Sequence, residues 1–412
     1  MVTVLAVLGV LVAVFVGYNI GGSSTGVAFG PAVGGRLVRK VTAGALFTGF
    51  ALLGAWTVGR NVIDTMSSSI VPAAQFSPEA SVGVLFFTGL SLLISNLYGV
   101  PASTSMTAVS AIVGLGLATG TLNAALMFVI VSAWIVAPVV GFASGAIIGR
   151  YVYPYLDGRF AFTRLELHLL QLDRSGRIPK PRVNRNATPR DLVGSALVVL
   201  IACYMAFSAG ASNAANAVAP LVGANGPLSV DQGVLLAVFA FALGSFTIAR
   251  RTLDTVGDDI TELPILAALI VSVVGGTIIT VLSYLGIPAS LAVSTTCCII
   301  GLGWGRASRA ATLAELAKPS PGTKMGSELS TGALAPEKRD EPASPTVGDL
   351  AEGEAVEPES PPAVPSIGDE RARAQSKESL FDAAAAGRIA VLWVLTPTIA
   401  VVCSYALFSV IL

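Results

Sequence analysis

Two polar stretches interrupt an otherwise apolar chain and carry the side chains best suited to chemistry. Gly21–Gly34 reads GGSSTGVAFGPAVG, and Gly210–Gly223 reads GASNAANAVAPLVG. The first offers the hydroxyls of Ser23 and Ser24; the second offers Ser212, Asn213 and Asn216. Hydroxyls and amides bind ions as neutral donors and acceptors, so the chemistry they predict is recognition, with no bond made or broken. A second pair of sites is Pro101–Ser103, followed by Thr104 and Ser105, and Pro288–Ser290. Proline suits the first turn of a helix and serine or threonine its cap. Such a helix start presents free N–H groups and the positive end of the macrodipole, and both favour an anion. The plainer role for either site alone is a cap that faces a loop.

The ionisable candidates are fewer. Arg60 and Asp64 stand four apart, as do Arg250 and Asp254, a spacing that allows an ion pair along one helix. Thr65 and Thr255 follow them. A structural pair is the plainer role, and a gating or cation-binding role is the alternative. The single histidine, His168, lies in a basic loop and reads as solvated. No nucleophile–base pair or metal cluster stands in the apolar segments, which makes a membrane enzyme the least favoured class. The four cysteines, Cys203, Cys297, Cys298 and Cys403, all lie in apolar segments, where they behave as small hydrophobes.

The elements that must position these residues are membrane helices. Hydrophobic residues make up 53% of the chain and charged residues 12%, and the mean hydropathy is +0.75. A soluble domain needs about a quarter of its residues charged, so lipid is the solvent here. Apolar blocks fall at 2–19, 41–58, 80–98, 102–118 and 122–149, then at 191–209, 233–249, 263–285, 289–304 and 386–411. Several match the ~20 residues needed to cross a bilayer; the shorter ones read as half-helices or hairpins. The apolar start, without a basic region before it, reads as the first membrane helix and not as a secretion signal. Zero net charge gives no sign of nucleic-acid binding.

The chain repeats itself. The two polar stretches agree at six of fourteen positions without a gap. Arg60, Asp64 and Thr65 recur as Arg250, Asp254 and Thr255, and Gly99–Gly116 pairs with Gly286–Gly303. Trp134 and Pro138 pair with Trp393 and Pro397, where the tryptophans read as packing or interfacial residues. The expected organisation is a first membrane repeat at 1–149, a basic linker at 150–190 and a second repeat at 191–305. An acidic, Pro-rich disordered loop follows at 306–383, and a last membrane helix at 384–412. The linker holds nine Lys or Arg against three acids, which places it in the cytoplasm by the positive-inside rule. Inversion of the repeats then puts the 306–383 loop on the same side and both termini outside. Matching interruptions in two halves point to a transporter's central site.

At these residues the sequence resembles the inorganic phosphate transporter (PiT) family. Gly210-Ala-Ser-Asn-Ala-Ala-Asn216-Ala is similar to the family's G-A-N-D-V-A-N-A signature, and Gly286-Ile-Pro-Ala-Ser290 to its G-L-P-V-S-T-T-H segment. Arg250–Leu263 resembles the R-R-V-x-x-T-I-G-x-x-I-T-x-L run, and Gly99–Ser105 the first P-V-S-T-T segment. The resemblance implies an all-α polytopic membrane protein of roughly 10–12 membrane segments, with two inverted repeats and broken or re-entrant helices. It implies a dimeric secondary transporter that couples phosphate entry to Na⁺ or H⁺; alternating access in the plasma membrane is expected, with Na⁺ preferred because the signature carboxylates are missing. Ser103, Thr104, Ser105, Ser290, Ser23, Ser212, Asn213 and Asn216 become the expected substrate ligands. Ser24, Asn213, Asn216, Asp64, Thr65, Asp254 and Thr255 become the expected cation ligands, with bound Na⁺ and no other cofactor.

The departures bear on the cargo. The signature aspartate is Ser24 in the first copy and Asn213 in the second, and the later asparagine is Val27 in the first copy. The family's histidine is Met106 and Val293, and a slipped alignment would move the second site from Ser290 to Ser294–Thr296. Without both carboxylates, Na⁺ can still be held by hydroxyls, amides and backbone carbonyls. The alternatives are a permease for sulfate or another oxyanion, or a non-transporting membrane paralogue that senses the anion.

Overall fold

The computed structural model describes residues 2–35, 37–97, 103–159, 170–173, 180–183, 189–223, 226–249, 265–316 and 383–411. The expected site residues Asp254 and Thr255, with Arg250, Pro101 and most of the 306–383 segment, lie outside these.

The first half contains α1 (Val2–Gly34), α2 (Lys40–Thr57), α3 (Gly59–Asp64), α4 (Pro78–Leu97), α5 (Thr104–Ala118) and α6 (Ala124–Ile147). The short α7 (Tyr153–Arg159) follows, and in the linker β1 (Leu170–Asp173) pairs antiparallel with β2 (Lys180–Val183). The second half contains α8 (Pro189–Val218), α9 (Val230–Phe246), α10 (Ile265–Tyr284), α11 (Leu291–Leu316) and α12 (Ala383–Ile411). Each of the ten apolar blocks corresponds to one of the long helices. Helix α11 continues to Leu316, beyond the loop boundary expected at 306, because Ala and Leu keep good helix formers in that stretch.

Helices α1, α6, α8, α10 and α12 are long and apolar enough to cross a membrane, and α2 with the segment Gly59–Ser69 forms an apolar pair bent by 61°, the shape of a broken span or a re-entrant loop. Helices α5 and α9 are shorter. Large apolar side chains such as Phe128, Ile135, Val394 and Val410 stand exposed on the outside of the bundle, where lipid is the solvent. The protein is therefore a multi-pass helical membrane protein.

Packing follows the repeat. Helix α1 lies against α9 as α2 lies against α8, and α1 against α4 as α8 against α10. Helix α5 packs on α12, and its counterpart α11 packs on α6. That last contact is made by glycines at four-residue spacing. Gly141, Gly145 and Gly149 face the backbones of Ser294, Cys298 and Leu302, while Gly301 and Gly305 face Phe142 and Ala146. Small residues let helices approach closely in lipid, where dispersion replaces the hydrophobic effect.

The interruption expected at Gly21–Gly34 is absent: α1 runs through it to Gly34, and α8 runs through the matching stretch to Val218. The glycines serve close approach instead. A Cβ on Gly21 would collide with the Phe241 carbonyl, and one on Gly22 would stand 2.9 Å from Ile248 Cβ. The break in the helical path falls between α2 and α3. Arg60 also departs from expectation. It does not pair with Asp64 but reaches Asp231 at the start of α9, with Nη2 2.6 Å from Oδ1. Its guanidinium lies 4.5 Å over the Trp56 ring.

Candidate functional site

The G-I-P-A-S stretch shows how sequence builds one wall of the site. Helix α10 ends with the Gly286 N–H bonded to the Ser283 carbonyl and the Ile287 N–H bonded to the Leu282 carbonyl. This closure needs the left-handed backbone that Gly286 adopts at φ 72°. Pro288 prevents continuation, and Ser290 caps α11 by accepting from the Val293 N–H at 3.3 Å. The Trp134 indole N–H donates to the Pro288 carbonyl at 2.8 Å, so this tryptophan ties α6 to the turn.

The opposite wall is the first turn of α5, with Ser103 at its cap and Thr104 as its first residue. Between the two helix starts lies a pocket lined by Asn19, Ser23, Ser24, Thr104, Asn213 and Ser290, with Ile20, Val27, Leu92, Leu291 and Ala292. Helices α1, α4 and α5 from the first half meet α8 and α11 from the second here. No lining side chain is ionisable. The charge that remains is that of two helix N-termini, each equivalent to roughly half a positive charge, so the pocket favours an anion.

A hydrogen-bonded cluster backs the pocket. Thr104 Oγ1 donates to Asn213 Oδ1 at 2.6 Å. Asn216 Nδ2 lies 3.1 Å from Asn213 Oδ1, 3.1 Å from Ser105 Oγ and 3.4 Å from Thr104 Oγ1. Two internal bonds thus hold the carbonyl end of Asn213 and leave its N–H₂ end toward the pocket. Exchanging the amide ends of Asn216 would strand two N–H groups where one oxygen now lacks a partner, so this orientation is the favoured one. That oxygen, Asn216 Oδ1, and Ser103 Oγ are buried without a hydrogen-bond partner. Ser23 Oγ bonds back to the carbonyls of Asn19 and Ile20, at 3.2 and 3.1 Å, so its lone pairs are its free side.

Of the expected ligands, Ser23, Ser24, Thr104, Asn213 and Ser290 come together at the pocket, with Ser103, Ser105 and Asn216 directly behind. Ser212 is buried and bonds within α8 to the Ala209 carbonyl at 3.5 Å. Asp64 is exposed, and Thr65 Oγ1 is spent on the Asn61 carbonyl at 3.0 Å; neither lines the pocket. Ser290, and not the slipped Ser294, reaches it. Asn19 had not been expected. Its signal was an amide within the first apolar block, four residues before Ser23 and so on the same helix face.

Many membrane helices, duplicated packing and a neutral, anion-favouring pocket where the halves meet define a membrane transporter, not an enzyme. The phosphate transporter family model matches residues 20–404, and the chain belongs to that family. It is 30% identical over 299 residues to the sulfate permease CysP of Bacillus subtilis, covering 72% of this chain and 77% of that one. It is 24% identical to the chloroplastic inorganic phosphate transporter 2-1 of Arabidopsis thaliana, covering 73% and 67%. A solved structure, the sodium-dependent phosphate transporter, superposes with a TM-score of 0.62 at 17% identity over 99% of both chains. At that identity the likeness speaks for the fold.

Proposed function

We propose that this protein is a secondary transporter that carries a tetrahedral inorganic oxyanion across the plasma membrane by alternating access between two inverted repeats. The convergence of the α5 and α11 starts on one uncharged pocket carries this reading. N–H groups at both helix starts, the Asn213 amide and the Ser290 hydroxyl supply donors to anionic oxygens.

Phosphate is the cargo that family membership carries. The site chemistry favours sulfate. Phosphate at neutral pH keeps an O–H that must donate, and discrimination comes from whether a buried site pairs that group. Where the family places a carboxylate acceptor, Asn213 turns a donor to the pocket. The relative named as a sulfate permease fits this choice.

For coupling, Na⁺ suits the cluster better than H⁺. Hard cations take neutral oxygen ligands, and Asn216 Oδ1 and Ser103 Oγ are buried oxygens without partners. Among the lining residues there is no carboxylate to carry a proton. The 150–190 and 306–383 segments belong to the cytoplasm in this reading, and the functional unit is a homodimer.

The test is uptake of radiolabelled sulfate and phosphate into proteoliposomes, with and without an inward Na⁺ gradient. Na⁺-dependent sulfate uptake that phosphate competes with poorly is expected. Preferred uptake of phosphate would return the site to the family's cargo. No flux of either anion from folded protein would leave an anion sensor.

A further inference from the structure

Away from the transport pocket, three arginines gather at the end of α6. Arg150 stands in the π-helical turn Ile148–Val152 that ends α6, and Arg306 and Arg309 stand three apart on one face of α11. The Arg309 guanidinium donates to the Arg150 carbonyl at 3.0 Å, and the Arg150 guanidinium to Ser308 Oγ at 3.1 Å. The Arg306 guanidinium lies 4.4 Å over the Tyr153 ring. These contacts hold the three groups at one helix junction. Like charges held this close attract an anion.

The surroundings decide which kind of anion. Tyr151 and Tyr155 are each 64% exposed and Trp304 is 60% exposed. The Trp304 ring lies 6.0 Å from that of Phe142, itself on the outer face of α6. Tyrosine and tryptophan in this setting mark the headgroup level of a bilayer. Exposed Ile147 and Phe142 continue the surface into the apolar zone. A soluble anion would use only the guanidinium groups, whereas a lipid would use them and the adjoining apolar face together.

We propose that the α6–α11 junction binds the phosphate headgroup of an anionic phospholipid, with Arg306 and Arg309 as its main ligands and its acyl chains along Phe142, Ile147 and Trp304. Basic pockets between membrane helices take such headgroups. The site is separate from the transport pocket and does not depend on which oxyanion is carried.

The test uses the full chain in detergent with dioleoyl phosphatidylglycerol or dioleoyl phosphatidylcholine, read by native mass spectrometry and by thermal melting. Wild type is expected to retain phosphatidylglycerol selectively and to melt higher with it than with phosphatidylcholine. The R306Q/R309Q variant is expected to bind phosphatidylglycerol about 30-fold more weakly while melting like wild type in phosphatidylcholine. If the double variant does not fold, R306Q is compared with R306K, and only R306K keeps the lipid. Equal phosphatidylglycerol retention by wild type and the charge-removed variants overturns the proposal. So does an equal shift from inorganic phosphate that displaces the lipid.

Discussion

Thr104 opens α5 in the first half and Asn213 lies within α8 in the second, yet the hydroxyl of one donates to the amide oxygen of the other at 2.6 Å. This bond joins a helix start that faces the pocket to the helix that carries the second signature. It also occupies the amide oxygen of Asn213, so in the proposed function the N–H₂ end is the one offered to the substrate.

Replacing Asn213 with aspartate should therefore invert the preference between the two oxyanions. A carboxylate there repels an acceptor-only dianion but pairs with the O–H of a protonated one. Hydrogen bonds to charged groups are worth about 1.5–3 kcal/mol, so sulfate uptake by N213D should fall roughly tenfold to a hundredfold and phosphate should become the better competitor. An unchanged ranking of the two anions in a competition assay would contradict the donor role assigned to Asn213.

Thr104→Val keeps the shape of the side chain and removes the hydroxyl. Asn213 then keeps only the bond from Asn216 and can rotate. We expect substrate affinity to drop about tenfold, the value of roughly one hydrogen bond of 1–1.5 kcal/mol, with little change in melting temperature. Thr104→Ser should restore most of the affinity; a Ser variant as weak as Val would assign the effect to packing.

Glycine spacing on α6 makes a stability prediction. A Cβ at Gly145 would collide with the Cys298 carbonyl, so Gly145→Leu should push α11 away and cost about 1–3 kcal/mol through overpacking. Gly49 in α2 is the control, since nothing lies within 4 Å of a Cβ built there. Gly49→Ala should leave stability unchanged or raise it by up to about 1 kcal/mol. Melting of both variants in one detergent reads the difference.

Sulfate binding should be flat between about pH 6 and pH 8, because neither the serine, threonine and asparagine side chains of the pocket nor sulfate itself titrates there. Isothermal calorimetry at fixed Na⁺ measures this directly. A fall in affinity across that range would mean that a titratable group outside the lining controls the site, and would favour proton coupling.

Much of this protein was legible in the sequence because membrane insertion is decided by local quantities. Runs of apolar residues fix where helices lie, and the Gly-Ile-Pro-Ala-Ser stretch specifies a helix end followed by a helix start through φ, a missing N–H and a cap. The two copies of each motif pointed to a site shared by two halves, and Ser23, Ser24, Thr104, Asn213 and Ser290 line one pocket.

What the sequence could not decide is which groups face each other, since that depends on helix packing between residues far apart in the chain. The Gly21–Gly34 stretch read as an interruption of α1, but Gly21 serves close approach to Phe241 of α9, and only the packed bundle reveals that neighbour. Arg60 had a plausible partner four residues away, yet its ion pair is with Asp231 at the start of α9. The same holds for Ser105, whose hydroxyl turns to Asn216 and not to the pocket. Residue types along one chain determined the medium, the helices and the kind of ion the site favours. The tertiary structure alone decided the orientation of each donor, because hydrogen-bond direction is set by the partner across the helix interface.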